Sequence, residues 1–442
     1  VKKILYALGG LAVLAGVALW YGTRLPSSPF DGVATDNSTP LEVGEYAARL
    51  SDCVACHTAE GGKPFAGGLK MGTPMGTIHA TNITPDPTHG IGKYTLADFD
   101  RAVRRGVTPD GRRLYPAMPY PSYAKLSDED MKAMYDYFMN HVAPVAEPTP
   151  QSDIVWPLSI RWPVEYWNLL FYSAGSYQPD PSKDEKWNRG AYLVQGAGHC
   201  GSCHTPRGVA MNEKGMDEGD PAFLTGALLD GWYAPALRGA SGNGVGRWTE
   251  PEIVDFLKLG RNKHGVVFGS MMEAFNNSTA FMTDDDLGAV AHYLKSLPRE
   301  VESEWAYDPS TTKVFASTNV SNEPGAQLYM QKCGYCHGRD GQGRGAYVPP
   351  LAGASSVLAP HADSVVNIVL NGAGRVVANG VPDSYRMPPY RVQLNDREIA
   401  EIATFVRKSW GNGGGAVAPQ QVRDLRERTD ASSDRVIILQ MR

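Results

Sequence analysis

Apolar positions in this chain follow three spacings. At the N-terminus they are nearly continuous over residues 4–20, after Lys2-Lys3 and before Tyr21-Gly22-Thr23-Arg24. A run of about 17–18 residues lies at the lower edge of what spans a bilayer. The two lysines keep the short N-terminus on the cytoplasmic side and send the bulk of the chain across. A cleaved signal is the competing reading, but Ala18-Leu19-Trp20-Tyr21 offers no small-x-small pattern, so a retained anchor within residues 1–30 is favoured.

Beyond it the spacing becomes helical and recurs three times. Helix-like stretches fall at 42–48, 189–194 and 325–331, with Tyr46, Tyr192 and Tyr329 marking equivalent places. Three further helices are announced by a polar residue followed by acids: Ser127 before Met131, Tyr135 and Phe138; Thr283 before Leu287, Val290 and Tyr293; Asn395 before Ile399, Ile402 and Phe405. The polar residue caps the first turn and the acids oppose the helix dipole. The fold class expected is mainly α: three tandem domains at 40–145, 183–300 and 318–412, after an N-terminal transmembrane helix. Residues 146–182 form a linker, proline-rich and then aromatic (Trp156, Trp162, Tyr166, Trp167, Phe171, Tyr172). It reads equally as a strap packed on its neighbours or as a segment at a membrane interface or partner. The polar tail, 413–442, is expected as an extended C-terminal arm.

Composition adds little until the cysteines. The 442 residues carry a net charge of −5, and 48 Gly and 32 Pro suggest a loop-rich globular chain. The charge gives no electrostatic reason to expect nucleic acid. All six cysteines lie in one motif repeated three times: Cys53-Val54-Ala55-Cys56-His57, Cys200-Gly201-Ser202-Cys203-His204 and Cys333-Gly334-Tyr335-Cys336-His337. C-x-x-C-H is the attachment signature of haem c: two thiols add to the porphyrin vinyl groups and the histidine binds the iron. Thiol redox and zinc sites also use C-x-x-C. With 10 histidines in 442 residues, chance places one after all three motifs with odds of roughly 1 in 100,000. Three covalently bound haem c groups are expected, and no cysteine remains for a disulfide framework. Haem c also sets the compartment, with the domains facing the periplasm from the cytoplasmic (inner) membrane.

A helix leading into C-x-x-C-H and an amphipathic helix closing each repeat resemble the plan of a small cytochrome c domain. There the sixth iron ligand is a methionine shortly before the last helix, and Met opposite His raises the potential and closes the site. The candidates are Met118 in Tyr115-Pro116-Ala117-Met118-Pro119-Tyr120, Met271 in Gly269-Ser270-Met271-Met272-Glu273, and Met387 in Arg386-Met387-Pro388-Pro389-Tyr390. Met75, Met211 and Met282 read as packing residues, and His79 and His264 as solvated loop histidines. Each ligand histidine needs an acceptor for its other ring nitrogen; the carbonyls of Thr81, Pro235 and Pro349 are the candidates.

The chain further resembles the three-haem cytochrome c subunits of bacterial membrane-bound dehydrogenases acting on alcohols, gluconate, fructose and aldehydes. The resemblance rests on residues 76–85, 90–94 and 114–120, Trp187-Asn188-Arg189-Gly190, His204-Thr205-Pro206-Arg207, and the loop at 269–273, where the family has Gly-Pro-Met-Ala-Glu and Met271 takes the ligand position. It implies electron transfer from a catalytic dehydrogenase subunit to ubiquinone. The partner is of molybdopterin/iron–sulfur, PQQ or flavin type, with an aldehyde-oxidising molybdoprotein slightly favoured over an alcohol-oxidising enzyme. Some members carry a C-terminal anchor, whereas here the apolar run is N-terminal. The alternatives are a self-contained periplasmic haem enzyme of peroxidase or nitrite reductase type, which needs an open iron, and the cytochrome subunit of a terminal oxidase. No catalytic residue stands out.

Overall fold

A computed structural model describes residues 2–34, 39–239, 242–298, 304–315 and 323–431. It is mainly helical. The apolar run is one helix, Lys2–Thr23.

Each repeat is built on two crossing helices. The opening helices are Leu41–Leu50, Glu185–Tyr192 and Pro324–Lys332. The closing helices are Asp128–Asn140, Asp284–Ser296 and Asp396–Lys408. Ser127, Thr283 and Asn395 accept from the backbone N–H three residues on, as expected of caps, each worth about 1 kcal/mol. One glycine lets each pair touch. A Cβ on Gly44 would lie 2.4 Å from the Ala133 carbonyl oxygen, on Gly190 2.1 Å from Ala289 O, and on Gly325 2.4 Å from Glu401 O. Measured from these glycines, Tyr46 and Tyr192 are equivalent, two residues on, but Tyr329 is four residues on. The expected threefold tyrosine equivalence therefore fails. Tyr329 is fully buried against Phe405 and Trp410, with ring centroids 5.4 Å from each.

Between these helices each repeat inserts loops and short hairpins. In the first, Lys70–Thr73 pairs antiparallel with Gly76–His79, in register Lys70 to His79. Helix Leu96–Arg105 starts at a Thr95/Asp98 capping box and stops at Gly106, φ 63°, a left-handed stop that suits glycine. The second repeat has hairpins Ala227–Leu229/Trp232–Ala234 and Arg261–Asn262/Gly265–Val266, and the third has Val377–Ala378/Val381–Pro382.

Among the described residues, those up to 179 with 195–199 form one compact unit, and 180–194 with 200–431 form a second. The segment 146–182 is no free linker. Strand Asp153–Ile154 joins the first hairpin as its third strand, and helix Val164–Phe171 packs on the same repeat. Tyr120 donates to Asn168 (2.7 Å), Arg113 pairs with Glu165 (3.0 Å), and Tyr172 donates to the Arg104 carbonyl (2.9 Å).

The second and third repeats share one unit because polar side chains of each grip the backbone of the other. Ser364 Oγ accepts from Tyr233 N–H (2.9 Å), Asn367 donates to Gly231 O (2.9 Å), and Asn276 donates to Arg375 O (3.2 Å) while accepting from Val377 N–H (3.0 Å).

The tail departs from the expected extended arm. Pro419–Arg428 is a helix that buries Val422 and Leu425, and Arg426 pairs with Asp396 at 2.7 Å. Proline at its first position suits a helix start, and two apolar contacts plus the ion pair dock it. Residues 432–442 lie outside the described residues.

Candidate haem-attachment sites

The three motifs adopt one geometry. In each, the histidine N–H donates to the carbonyl of the first cysteine, at 3.0 Å for His57–Cys53, 3.0 Å for His204–Cys200 and 2.9 Å for His337–Cys333. That i to i−4 bond closes one helical turn and brings the histidine to the face that carries the first cysteine. None of the six cysteines is in a disulfide. Burial pushes the thiols of Cys53, Cys200 and Cys333 up to about 12, which keeps them protonated.

Each imidazole is fixed at its inner nitrogen. Nδ1 lies 2.6 Å from Thr81 O in His57, 2.7 Å from Pro235 O in His204 and 3.1 Å from Pro349 O in His337. These are the acceptors expected from the sequence. A carbonyl can only accept, so Nδ1 carries the proton and Nε2 is left with its lone pair. Desolvation lowers the pKa of all three rings, against a smaller raising effect of the carbonyl bond. Each is thus a neutral imidazole with an oriented donor atom, buried at His204 and His337 and partly exposed at His57.

A second grip is absent from the sequence reading. The carbonyl of each motif histidine accepts from a glycine N–H: Gly67 to His57 (2.8 Å), Gly226 to His204 (2.7 Å) and Gly343 to His337 (3.0 Å). All three glycines have positive φ, at 75°, 93° and 72°. A Cβ on Gly67 would lie 2.5 Å from the Thr81 carbonyl carbon, and one on Gly343 2.7 Å from the Pro349 oxygen. The glycines let the acceptor strand come close enough to reach the ring. Positive φ makes glycine the fitting residue.

The methionines precede the closing helices, Met118 and Met387 in loops and Met271 at the start of a short helix. Met118 is half-buried, its carbonyl accepting from Tyr120 N–H (2.8 Å). Met387 packs on the core of the third repeat, and its carbonyl accepts from Ala373 N–H (3.0 Å). Met271 begins helix Met271–Asn277 and packs with Val267, Phe275 and Val376. Its neighbour Met272 turns to Gly374, where its sulfur would meet a Cβ at 2.6 Å. Met282 is buried and Met75 packs beside the first hairpin, whereas Met211 is exposed. His264 is not a solvated loop residue: it stacks on Trp248 at 5.3 Å and 5° and lies 3.3 Å from Glu252. His79 contacts Gln151 O at 3.1 Å.

This donor set fits covalent haem c. Each site offers two thiols outside any disulfide on one turn, with a neutral imidazole whose Nε2 keeps its lone pair. Among the described residues no group of three or more His, Cys, Asp or Glu is arranged to hold a separate metal ion.

Comparison with known proteins agrees with that chemistry. The cytochrome c family matches three times, at residues 44–141, 188–298 and 322–410. The cytochrome c subunit of alcohol dehydrogenase (quinone) from Gluconacetobacter polyoxogenes is 47% identical over 96% of this chain and 90% of its own length. The gluconate 2-dehydrogenase cytochrome c subunit of Pantoea cypripedii is 46% identical over 90% and 92%. The fructose dehydrogenase cytochrome subunit of Gluconobacter japonicus is 36% identical over 93% and 87%. With the motif turns, the fixed imidazoles and the threefold match in hand, the chain belongs to the cytochrome c family and carries its domain three times over.

Proposed function

We propose that this chain is the electron-transferring cytochrome subunit of a membrane-bound dehydrogenase, passing electrons from a catalytic partner through three covalent haems to ubiquinone. The observation that carries the reading is one ligand geometry repeated three times, each imidazole held between a carbonyl at Nδ1 and a glycine N–H at its own carbonyl. The proposed sites are Cys53, Cys56 and His57 with Met118; Cys200, Cys203 and His204 with Met271; Cys333, Cys336 and His337 with Met387. Bound there, haem c would supply a one-electron Fe(III)/Fe(II) couple. The cysteines hold the macrocycle on the motif turn. The carbonyls of Thr81, Pro235 and Pro349 orient each imidazole and raise its basicity. Met118, Met271 and Met387 would supply the remaining iron ligands and shut out peroxide or nitrite, which disfavours the self-contained enzyme.

The names of the relatives support a dehydrogenase partner and, for the alcohol enzyme, a quinone acceptor. Identity is higher to the alcohol and gluconate subunits than to the fructose subunit, so those two substrates lead the test. Helix Lys2–Thr23 is long and apolar enough to anchor the chain in the cytoplasmic membrane, with the haem domains on the periplasmic side.

The test is native purification from mildly solubilised membranes, followed by addition of alcohols, gluconate, fructose and aldehydes while haem absorbance is watched. A co-purifying dehydrogenase whose substrate reduces three haems per chain is expected, and it identifies the partner's cofactor. A chain that comes alone and turns over peroxide or nitrite would overturn the reading, and co-purification with a terminal oxidase would redirect it.

A further inference from the structure

The strap at 146–182 uses one face and leaves the other bare. Its inner face is bound to the first repeat through Asn168, Glu165 and Tyr172. Outward it presents large apolar side chains: Trp156 is 80% exposed, Leu170 75%, Leu169 58%, Leu158 48% and Ile160 42%. Isolated exposed apolar residues are ordinary, but this many within one short segment mark an interaction surface.

Its surroundings indicate what covers it. The same strap packs on the foot of helix Lys2–Thr23: Tyr166 donates to the Ala18 carbonyl (2.9 Å), the rings of Tyr166 and Tyr21 lie 6.1 Å apart, and Trp162 rests on Gly22, where a Cβ would meet its ring at 2.8 Å. The most apolar window of that helix has no buried residue. Its foot ends in Trp20 and Tyr21, with the Arg24 guanidinium 4.3 Å over the Tyr21 ring. Aromatic rings and a cation closing an apolar span are the composition of a bilayer's headgroup level. The bare face therefore begins where the span leaves the hydrocarbon.

We infer that the strap is a second, monotopic membrane contact, laying Trp156, Leu158, Ile160, Leu169 and Leu170 into the headgroup region of the bilayer that the N-terminal helix crosses. A lone span leaves a domain free to tilt and spin about it. A second contact beside its foot fixes which face of the first repeat looks at the lipid. The inference rests on the reading of Lys2–Thr23 as a membrane anchor.

The test uses the full, haem-loaded chain. All six native cysteines lie in attachment motifs, so an introduced cysteine is the single free thiol. Spin labels are placed at Val13→Cys, Ile160→Cys and Leu170→Cys, and the protein is reconstituted in nanodiscs of phosphatidylethanolamine and phosphatidylglycerol with the haems reduced. Relaxation by oxygen, which concentrates in lipid, is compared with relaxation by a neutral nickel chelate, which stays in water. The expected result is a deep lipid signature at residue 13 and a shallower, oxygen-favoured one at 160 and 170. Lipid at 13 with water at 160 and 170 would overturn the inference and leave the anchor standing. Water at all three would overturn both. Loss of access to both reagents at 160 and 170 only when the dehydrogenase subunit is bound would assign the face to that protein and overturn the inference.

Discussion

Gly343 sits against the carbonyl of Pro349, so that a Cβ at Gly343 would lie 2.7 Å from the oxygen that takes up Nδ1 of His337. Its own N–H donates to the His337 carbonyl at 3.0 Å, and its φ is 72°. Gly343→Ala is therefore expected to strain the turn and push the acceptor from the ring, at about 1–3 kcal/mol of stability. Losing that acceptor makes the imidazole a weaker donor to Fe(III), so one of three midpoint potentials should rise. Potentiometric titration beside thermal unfolding checks both, and a destabilised protein with unmoved potentials would contradict the positioning role.

The two neighbouring methionines of the second repeat separate cleanly. Met271→Ala should drop one midpoint potential and let the reduced protein bind one carbon monoxide per chain, because Met ligation raises the potential and closes the iron. Met272→Leu, changing a side chain that rests on Gly374, should leave carbon monoxide binding absent. The reverse pattern would move the ligand to Met272.

Asn276 joins the second repeat to the third through Arg375 O and Val377 N–H. Asn276→Leu leaves both backbone groups without partners, at about 1–3 kcal/mol each where they are buried. Differential scanning calorimetry should show one transition for the second and third repeats of the parent chain and two for the variant.

Asp100 is almost wholly enclosed in the first repeat, 3.4 Å from Arg104 Nε. Desolvation raises its pKa above 3.8, opposed by the Ser28 hydrogen bond and by Arg104 and Arg105, and reinforced by Asp128. The folded state thus favours the protonated acid. Its stabilising contribution is complete below the unfolded value and is lost as pH rises through the folded one. Asp100→Asn should flatten that decline and raise Tm by about 2–4 °C at pH 7, with little change at pH 3. Thermal denaturation across that range is the check.

What the sequence made legible is local. The caps at Ser127, Thr283 and Asn395 follow from a polar residue and its acids, and the carbonyls of Thr81, Pro235 and Pro349 from their place in each repeat. Gly67, Gly226 and Gly343 were hidden because they stand 10, 22 and 6 residues beyond their histidines, so no spacing unites them. The tail helix buries only Val422 and Leu425, too few apolar positions to show a period. The strap was half legible: its aromatics announced a contact, but a strand of two residues leaves no alternation to read.

The junction of the second and third repeats holds a lesson for reading relatives. Ser364 grips the backbone of Tyr233, Asn367 the Gly231 carbonyl, and Asn276 the backbone of Arg375 and Val377. Peptide groups are the same whatever side chain they carry, so the gripped positions can drift without loosening the joint. Paired substitutions across the joint should then gather where side chain meets side chain, at Arg261 with Asp383 and Phe275 with Val376, and a contact map inferred from covariation would be blank at the gripped backbone.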